Sequence, residues 1–155
     1  MVVITLANAV KVVPEGMSYT VERHGKYIRT LLPGQHWIIP FIDKIGFRIN
    51  MRERKLRVPF SELKTKDNHE VYTDADILVR VKSPHIVAYE TGNVDETIKL
   101  NIRKFMKSVV KSRTLSEILS HADEIDEELL SKMRAEQDKW GVDISFVDVH
   151  RFQAV

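Results

Sequence analysis

No cysteine occurs among the 155 residues. That excludes disulfide scaffolds, cysteine nucleophiles and thiolate zinc sites. A large excess of one charge is also missing: 24 Lys and Arg against 22 Asp and Glu leave a formal net charge of +2, too balanced for a dedicated nucleic-acid binder. No apolar run reaches the ~20 residues of a membrane-crossing helix. The most apolar start, residues 1–13, is interrupted by Asn8 and Lys11. It also lacks the basic beginning and small-residue exit of a signal peptide. It reads either as a strand opening a domain or as the stub of a longer membrane anchor. Catalytic signatures are absent: Gly16, Gly25 and Gly34 are too scattered for a phosphate loop, and neither G-x-S-x-G nor H-E-x-x-H occurs. His24, His36, His69, His85, His121 and His150 form no i, i+3 or i, i+4 pair, so no metal site is expected. No repeat or low-complexity tract is present.

What is present fits one soluble α+β domain. Hydrophobic residues make up 43% and charged residues 30%, an ordinary globular balance. Strand-like alternation dominates the first half. Met17, Tyr19 and Val21 alternate with polar residues, His24-Gly25 offers a hairpin turn, and residues 27–32 return as its partner. Pro33-Gly34 suits a type II turn. Ile45, Phe47, Ile49 and Met51 face one way. By Leu56, Val58 and Phe60 the apolar parity has flipped, which calls for a bulge or bend near residues 53–55. Lys66-Asp67-Asn68 is a turn, and residues 71–81 give the cleanest alternation of all. The second half is helical. Ser83-Pro84 starts a short helix that Gly92 ends. Asn93-x-x-Glu96 and Thr114-x-x-Glu117 cap two more starts. Ile98, Ile102, Phe105 and Val109 form one apolar face. Leu115, Leu119, Ala122, Ile125, Leu129 and Met133 continue a stripe to Trp140, with an interruption near residues 120–123. Gly141 stops the helix, and Val142, Ile144 and Phe146 begin a last strand at 142–149. Trp140 is expected to be buried where the last helix meets the sheet. The expected architecture is a mainly antiparallel sheet with helices packed on it.

Three features admit a functional reading beside a bland one. Residues 37–42, WIIPFI, are either a buried loop or, if exposed, an apolar tip suited to a membrane interface, where Trp favours the headgroup level. Residues 1–60 carry a charge of +6 and residues 61–155 a charge of −4, which favours lipid contact by the first half. Next, residues 99–113 hold six bases and no acid, and residues 117–128 hold six acids and no base. Lys99, Arg103, Lys107 and Lys111 recur every four residues on one helical stripe. These blocks are either solvated faces or surfaces that recognise each other between subunits, the bases of one meeting Asp123, Glu124 and Glu127 of the next. Such a contact is heterologous and propagates. Lastly, Asp74 and Asp76 share a strand face and read as solvated side chains or as a cation site.

Taken in order, VKVVPEG (10–16), YTVERHGKYIRTLLPGQHWIIPFIDKI (19–45), NMRERKLRVP (50–59), LKTKDN (63–68), the strand of 71–81 and WGVDISFVDV (140–149) resemble the band 7, or SPFH, domain of stomatins, prohibitins, flotillins and the Hfl protease regulators. The likeness is strongest to bacterial stomatin-like proteins, the paraslipins. It implies an SPFH domain over 10–150, preceded by an apolar stub at 1–9 and followed by a short end at 151–155, with the family's anchor absent or outside this chain and its coiled coil absent, as in an isolated domain or a degenerate short member. It further implies a non-enzymatic, membrane-associated scaffold that self-assembles and organises or regulates membrane proteins. There are no catalytic residues and no cofactor to carry over. The implied partners are further copies of the chain, a lipid surface and a membrane protease or channel, and the chain by itself is expected to be soluble. The family's proline-containing apolar loops correspond to Trp37, Ile38, Ile39, Pro40, Phe41 and Ile42. The alternative is a binding module that docks on a membrane protease or channel without touching lipid.

Overall fold

A computed structural model describes residues 7–155; the apolar residues 1–6 lie outside the described part. Among the described residues, alternation and turn chemistry produce nine strands. β1 (Val10–Val13) pairs with β4 (Gly34–Trp37). β2 (Met17–Arg23) lies between β3 (Lys26–Leu31) and β5 (Asp43–Asn50). The long strands β6 (Arg54–Lys64) and β7 (Glu70–Val81) pair along most of their length, and β8 (Val142–Val149) and β9 (Gln153–Ala154) both add to the other side of β7. Every pairing among the described residues is antiparallel. Helix α1 (Pro84–Ile86) runs into a π-helical turn at Val87–Thr91. It is followed by α2 (Val94–Lys111), α3 (Leu115–Ser120) and α4 (Ala122–Trp140). The α+β reading of the sequence therefore holds.

Local chemistry sets the element ends. His24 and Gly25 take φ of 52° and 77°, the left-handed pair that matches the twist of a two-residue hairpin. Asn93 accepts the Glu96 N–H, and Thr114 with Glu117 forms a complete capping box. Pro33 and Gly34 make a bend rather than the expected turn, with Gly34 already paired in β4. The parity flip near residues 53–55 marks the end of β5 and a change of sheet. Two further flips were not expected. One is a bulge between Phe60 and Leu63, which buries Leu63. The other is a register shift opposite Leu78 and Val79. It turns Phe146 outward and brings Val147 and Val149 into the core. The interruption near 120–123 is a real break between α3 and α4. Leu119 and Ala122, placed on the apolar stripe above, are exposed, and Ile118 fills the core instead.

Two cores result. The larger lies between the β6-β7-β8 sheet and the helices, built on Ile77, Ile98, Ile102, Leu129, Met133 and Ile144, with Trp140 buried at its edge. Phe152 belongs to it, and Gln153–Ala154 pair with β7, so the fold continues through the last residues. The smaller core joins Val13, Val21, Leu31 and Ile38. An aromatic group mortars the two halves together. Phe47 meets the Tyr89 ring edge-on at 5.1 Å, and the Tyr89 hydroxyl donates to Glu22 Oε1 at 2.7 Å. Gly46 permits this approach, since a Cβ there would sit 2.7 Å from the Tyr89 hydroxyl.

Candidate membrane-contact and assembly surfaces

The WIIPFI segment forms a tip between β4 and β5. Phe41 is 88% and Trp37 68% exposed, with Ile39 and Ile42 also exposed and Pro40 half-buried. Ile38 departs from the expected contact set: it is 7% exposed and belongs to the smaller core. It roots the tip while its neighbours project. The tip is held in shape by Asp43. That buried carboxylate accepts from Arg23 Nε at 2.7 Å and from the Ile39 N–H at 2.9 Å. The Asp43 N–H in turn donates to the Ile39 carbonyl at 2.9 Å. The Arg23 hydrogen bond, then the Ile39 N–H, hold the Asp43 carboxyl below the usual carboxylate range. The Arg29 guanidinium donates to the Trp37 carbonyl. Phe41 takes φ +67°, a conformation costing roughly 1–3 kcal/mol for a bulky residue, and it presents an almost fully solvated ring. Beside it a depression of about 370 Å³ is lined by Lys11, Lys44 and Arg48 together with Phe41 and Pro40. Asp43 and its reach to Arg23 were not visible from the sequence, because the two stand twenty residues apart.

The charge blocks are only partly free. Lys99 pairs with Glu96 at 3.2 Å, and Arg103 is half-buried. Lys104, Lys107 and Lys111 are exposed and have no acidic partner within 4 Å among the described residues. In the acidic block, Glu117 closes the capping box by accepting the Thr114 N–H at 2.8 Å. Glu128 pairs with Arg113 at 2.6 Å. Asp126 accepts the Val149 N–H at 3.0 Å. Asp123, Glu124 and Glu127 stay exposed and without an ion partner among the described residues.

Asp74 and Asp76 find partners within the chain. His150 Nδ1 lies 2.8 Å from Asp74 and its Nε2 3.1 Å from Asp76. Arg57 reaches both carboxylates, at 3.3 and 3.1 Å. Burial alone would raise the Asp76 carboxyl; the Arg57 hydrogen bond and charge, with Lys55 and His150, outweigh it and hold the group low. Among the described residues no group of three or more His, Asp or Glu is arranged to hold a metal ion.

Comparison with known proteins matches residues 11–154 to the family described as SPFH domain / Band 7. The chain is 28% identical to a stomatin homologue of Pyrococcus horikoshii, over 96% of its own length and 55% of the relative's. It is 25% identical to a stomatin-like protein of Caenorhabditis elegans, over 94% of its length and 45% of the relative's. A Mycobacterium tuberculosis protein is 26% identical, and the chain covers 39% of it; the chain thus spans about half or less of these relatives. With the family model covering nearly all of the β1-to-β9 fold, the chain belongs to the SPFH domain / Band 7 family.

Proposed function

We propose that this chain is the membrane-contacting, self-associating part of a non-enzymatic scaffold of the stomatin type. Family membership supports the coarser part, since SPFH proteins are generally non-enzymatic, membrane-associated and protein-interacting. No helix among the described residues is long and apolar enough to cross a membrane. The observation that carries the reading is the tip: Trp37 and Phe41 held out in water on an anchored loop, with Lys11, Lys44 and Arg48 beside them. Burying an aromatic or aliphatic side chain is worth ~1.5–3 kcal/mol, and each base near an anionic surface adds ~1 kcal/mol.

Liposome flotation tests this. The chain is expected to float with vesicles containing anionic lipid. Trp37→Ser with Phe41→Ser is expected to weaken binding by roughly 30-fold or more, from ~2 kcal/mol of lost transfer, and to leave Tm nearly unchanged because both side chains are exposed. A large fall in Tm would place the tip in the core and overturn the reading. Absence of flotation would favour a module that docks on a membrane protease or channel through the same tip, without lipid contact.

A further inference from the structure

The geometry points to a second binding site, distinct from the tip: a groove between the β6–β7 turn and the C-terminal half of α2 that takes a compact anion carrying two or more adjacent phosphate groups. The groove has a volume of about 530 Å³ and is lined by Lys64, Lys66, Lys107 and Lys111, with Glu62 and Asn68 on its walls. Four lysines and a single carboxylate residue therefore line one concavity. Lys66, Lys107 and Lys111 have no acidic partner within 4 Å among the described residues, and Lys64 has only an exposed 3.7 Å contact to Glu70. An adjoining cleft of about 130 Å³ is lined by Arg103 and again by Lys107, which extends the positive field.

The groove is built on fixed backbone. The Lys66 N–H donates to the Arg113 carbonyl at 2.8 Å. Asp67 Oδ1 accepts the Thr65 hydroxyl at 2.6 Å and the Leu115 N–H at 3.2 Å. These bonds fasten the β6–β7 turn to the α2–α3 junction, so the lysines of the turn stand at a set distance from those of the helix. Glu62 and Asn68 take left-handed φ of 59° and 61°. Outside glycine such conformations persist where surrounding structure enforces them, and they concentrate at ligand sites.

The lining chemistry narrows the ligand. Lysine is a compact point charge suited to phosphate oxygens, whereas planar carboxylate recognition favours the arginine fork. No aromatic side chain lines the groove, so nothing is offered for a base to stack on. The volume lies in the range of small-ligand sites. The groove and the tip are distinct sites: no residue lines both the groove and the depression beside Phe41.

The site stands on the groove alone and does not depend on lipid contact. Because Lys107 and Lys111 also belong to the proposed assembly stripe, the test changes Lys64 and Lys66. Calorimetric titration with sodium tripolyphosphate near physiological salt is expected to give one saturable site, with orthophosphate weaker. Lys64→Gln with Lys66→Gln is expected to weaken it about 10-fold, on the scale of two exposed charge contacts. Lys26→Gln with Lys104→Gln removes the same charge from exposed positions outside the groove and is expected to change binding less than about 2-fold. Equal losses in the two variants would mean a diffuse field and no site, and absence of binding to the unmodified chain would overturn the proposal outright. A vesicle arm identifies the source of the phosphates. With the Trp37→Ser and Phe41→Ser tip, retention on phosphatidylcholine vesicles containing a phosphorylated inositol lipid, but not on phosphatidylserine vesicles of equal charge, would place them on a lipid headgroup. Tripolyphosphate binding without such retention would make the ligand a soluble one.

Discussion

Asp126 is an acid set against its own ionisation. Burial, then the nearby Asp148 and Asp123, push its carboxyl above the usual range, although the Val149 N–H partly offsets this. A raised folded pKa means the native state holds the proton more tightly than the unfolded chain. The contribution to stability is full below the unfolded pKa and is lost as pH rises through the folded one. Asp126→Asn keeps an oxygen for the Val149 N–H and removes the charge. It is expected to raise Tm at pH 7 by roughly 2–4 °C, the scale of about 1 kcal/mol in a domain of this size, and the gain should shrink as pH falls below the folded pKa. Asp67 has the opposite sign. The Thr65 hydroxyl, ahead of His69 and the Leu115 N–H, brings its carboxyl down to about 2, so its clip on the α2–α3 junction persists above the unfolded value and weakens only as pH falls towards about 2. Gly141 shows a constraint that was legible in advance. It takes φ 72° at the end of α4, and a Cβ there would lie 2.8 Å from the Ser83 carbonyl. Gly141→Ala should cost more than ~1 kcal/mol, measured by chemical denaturation. Caps and stops such as Thr114, Asn93 and Gly141 can be read from sequence because their partners lie within four residues. Asp43, Asp67 and Asp126 could not, because each answers a group twenty or more residues away.

Elements were legible where side-chain period alone decides them. β7 and β8 fall where alternation puts them, and the capped start and apolar face of α2 follow from Asn93 and the spacing of Ile98, Ile102 and Val109. Bulges were not legible, because an extra residue is defined by the partner strand and the partner is unknown until the sheet forms. Hence the second flip at Glu62 and the outward turn of Phe146. The exposed side of β8 is closed by α4 in a way no periodicity foretells: Arg134 donates to the Ile144 and Ser145 carbonyls, and Gln137 accepts the Ile144 N–H at 2.9 Å. This satisfies an edge that would otherwise invite another strand. The tip likewise depends on a remote anchor. Asp43→Ala removes the acceptor of the Ile39 N–H and the partner of Arg23, so hydrogen exchange at Ile39 should accelerate on the order of 10-fold or more while the amides of β7 keep their protection. In the unmodified chain the same loosening should appear only at acid pH. The depressed Asp43 carboxyl keeps its contribution above the unfolded value and loses it as pH falls through the folded one. Exchange at Ile39 that ignores both the substitution and acid would mean that Ile38 alone anchors the tip.

At the scale of the whole molecule the charges are sorted in space as well as along the chain. The bases of α2 continue into the groove with Lys64 and Lys66, whereas Asp123, Glu124 and Glu127 project from the first turns of α4. Within one chain the two blocks neutralise each other chiefly through Arg113 and Glu128, which leaves most of both fields for a neighbour. Base meeting acid between copies is heterologous and propagates instead of closing as a two-fold pair. Exposed pairs give only ~0–1 kcal/mol each and are screened beyond ~8 Å at physiological salt. Charge alone therefore supports weak association that grows as salt is lowered. The structure shifts the weight within the stripe: Lys107 and Lys111 are free, whereas Lys99 is engaged by Glu96 and Arg103 is half-buried. Lys107→Glu with Lys111→Glu should remove most of the association, and adding Lys99→Glu and Arg103→Glu should remove the rest. A second chain carrying Asp123→Lys, Glu124→Lys and Glu127→Lys should associate with the base-reversed chain on mixing, although each variant alone stays monomeric. Sedimentation velocity at low and high salt reads all of these states. Association that ignores salt, or a mixture that stays monomeric, would show that another surface holds the copies together.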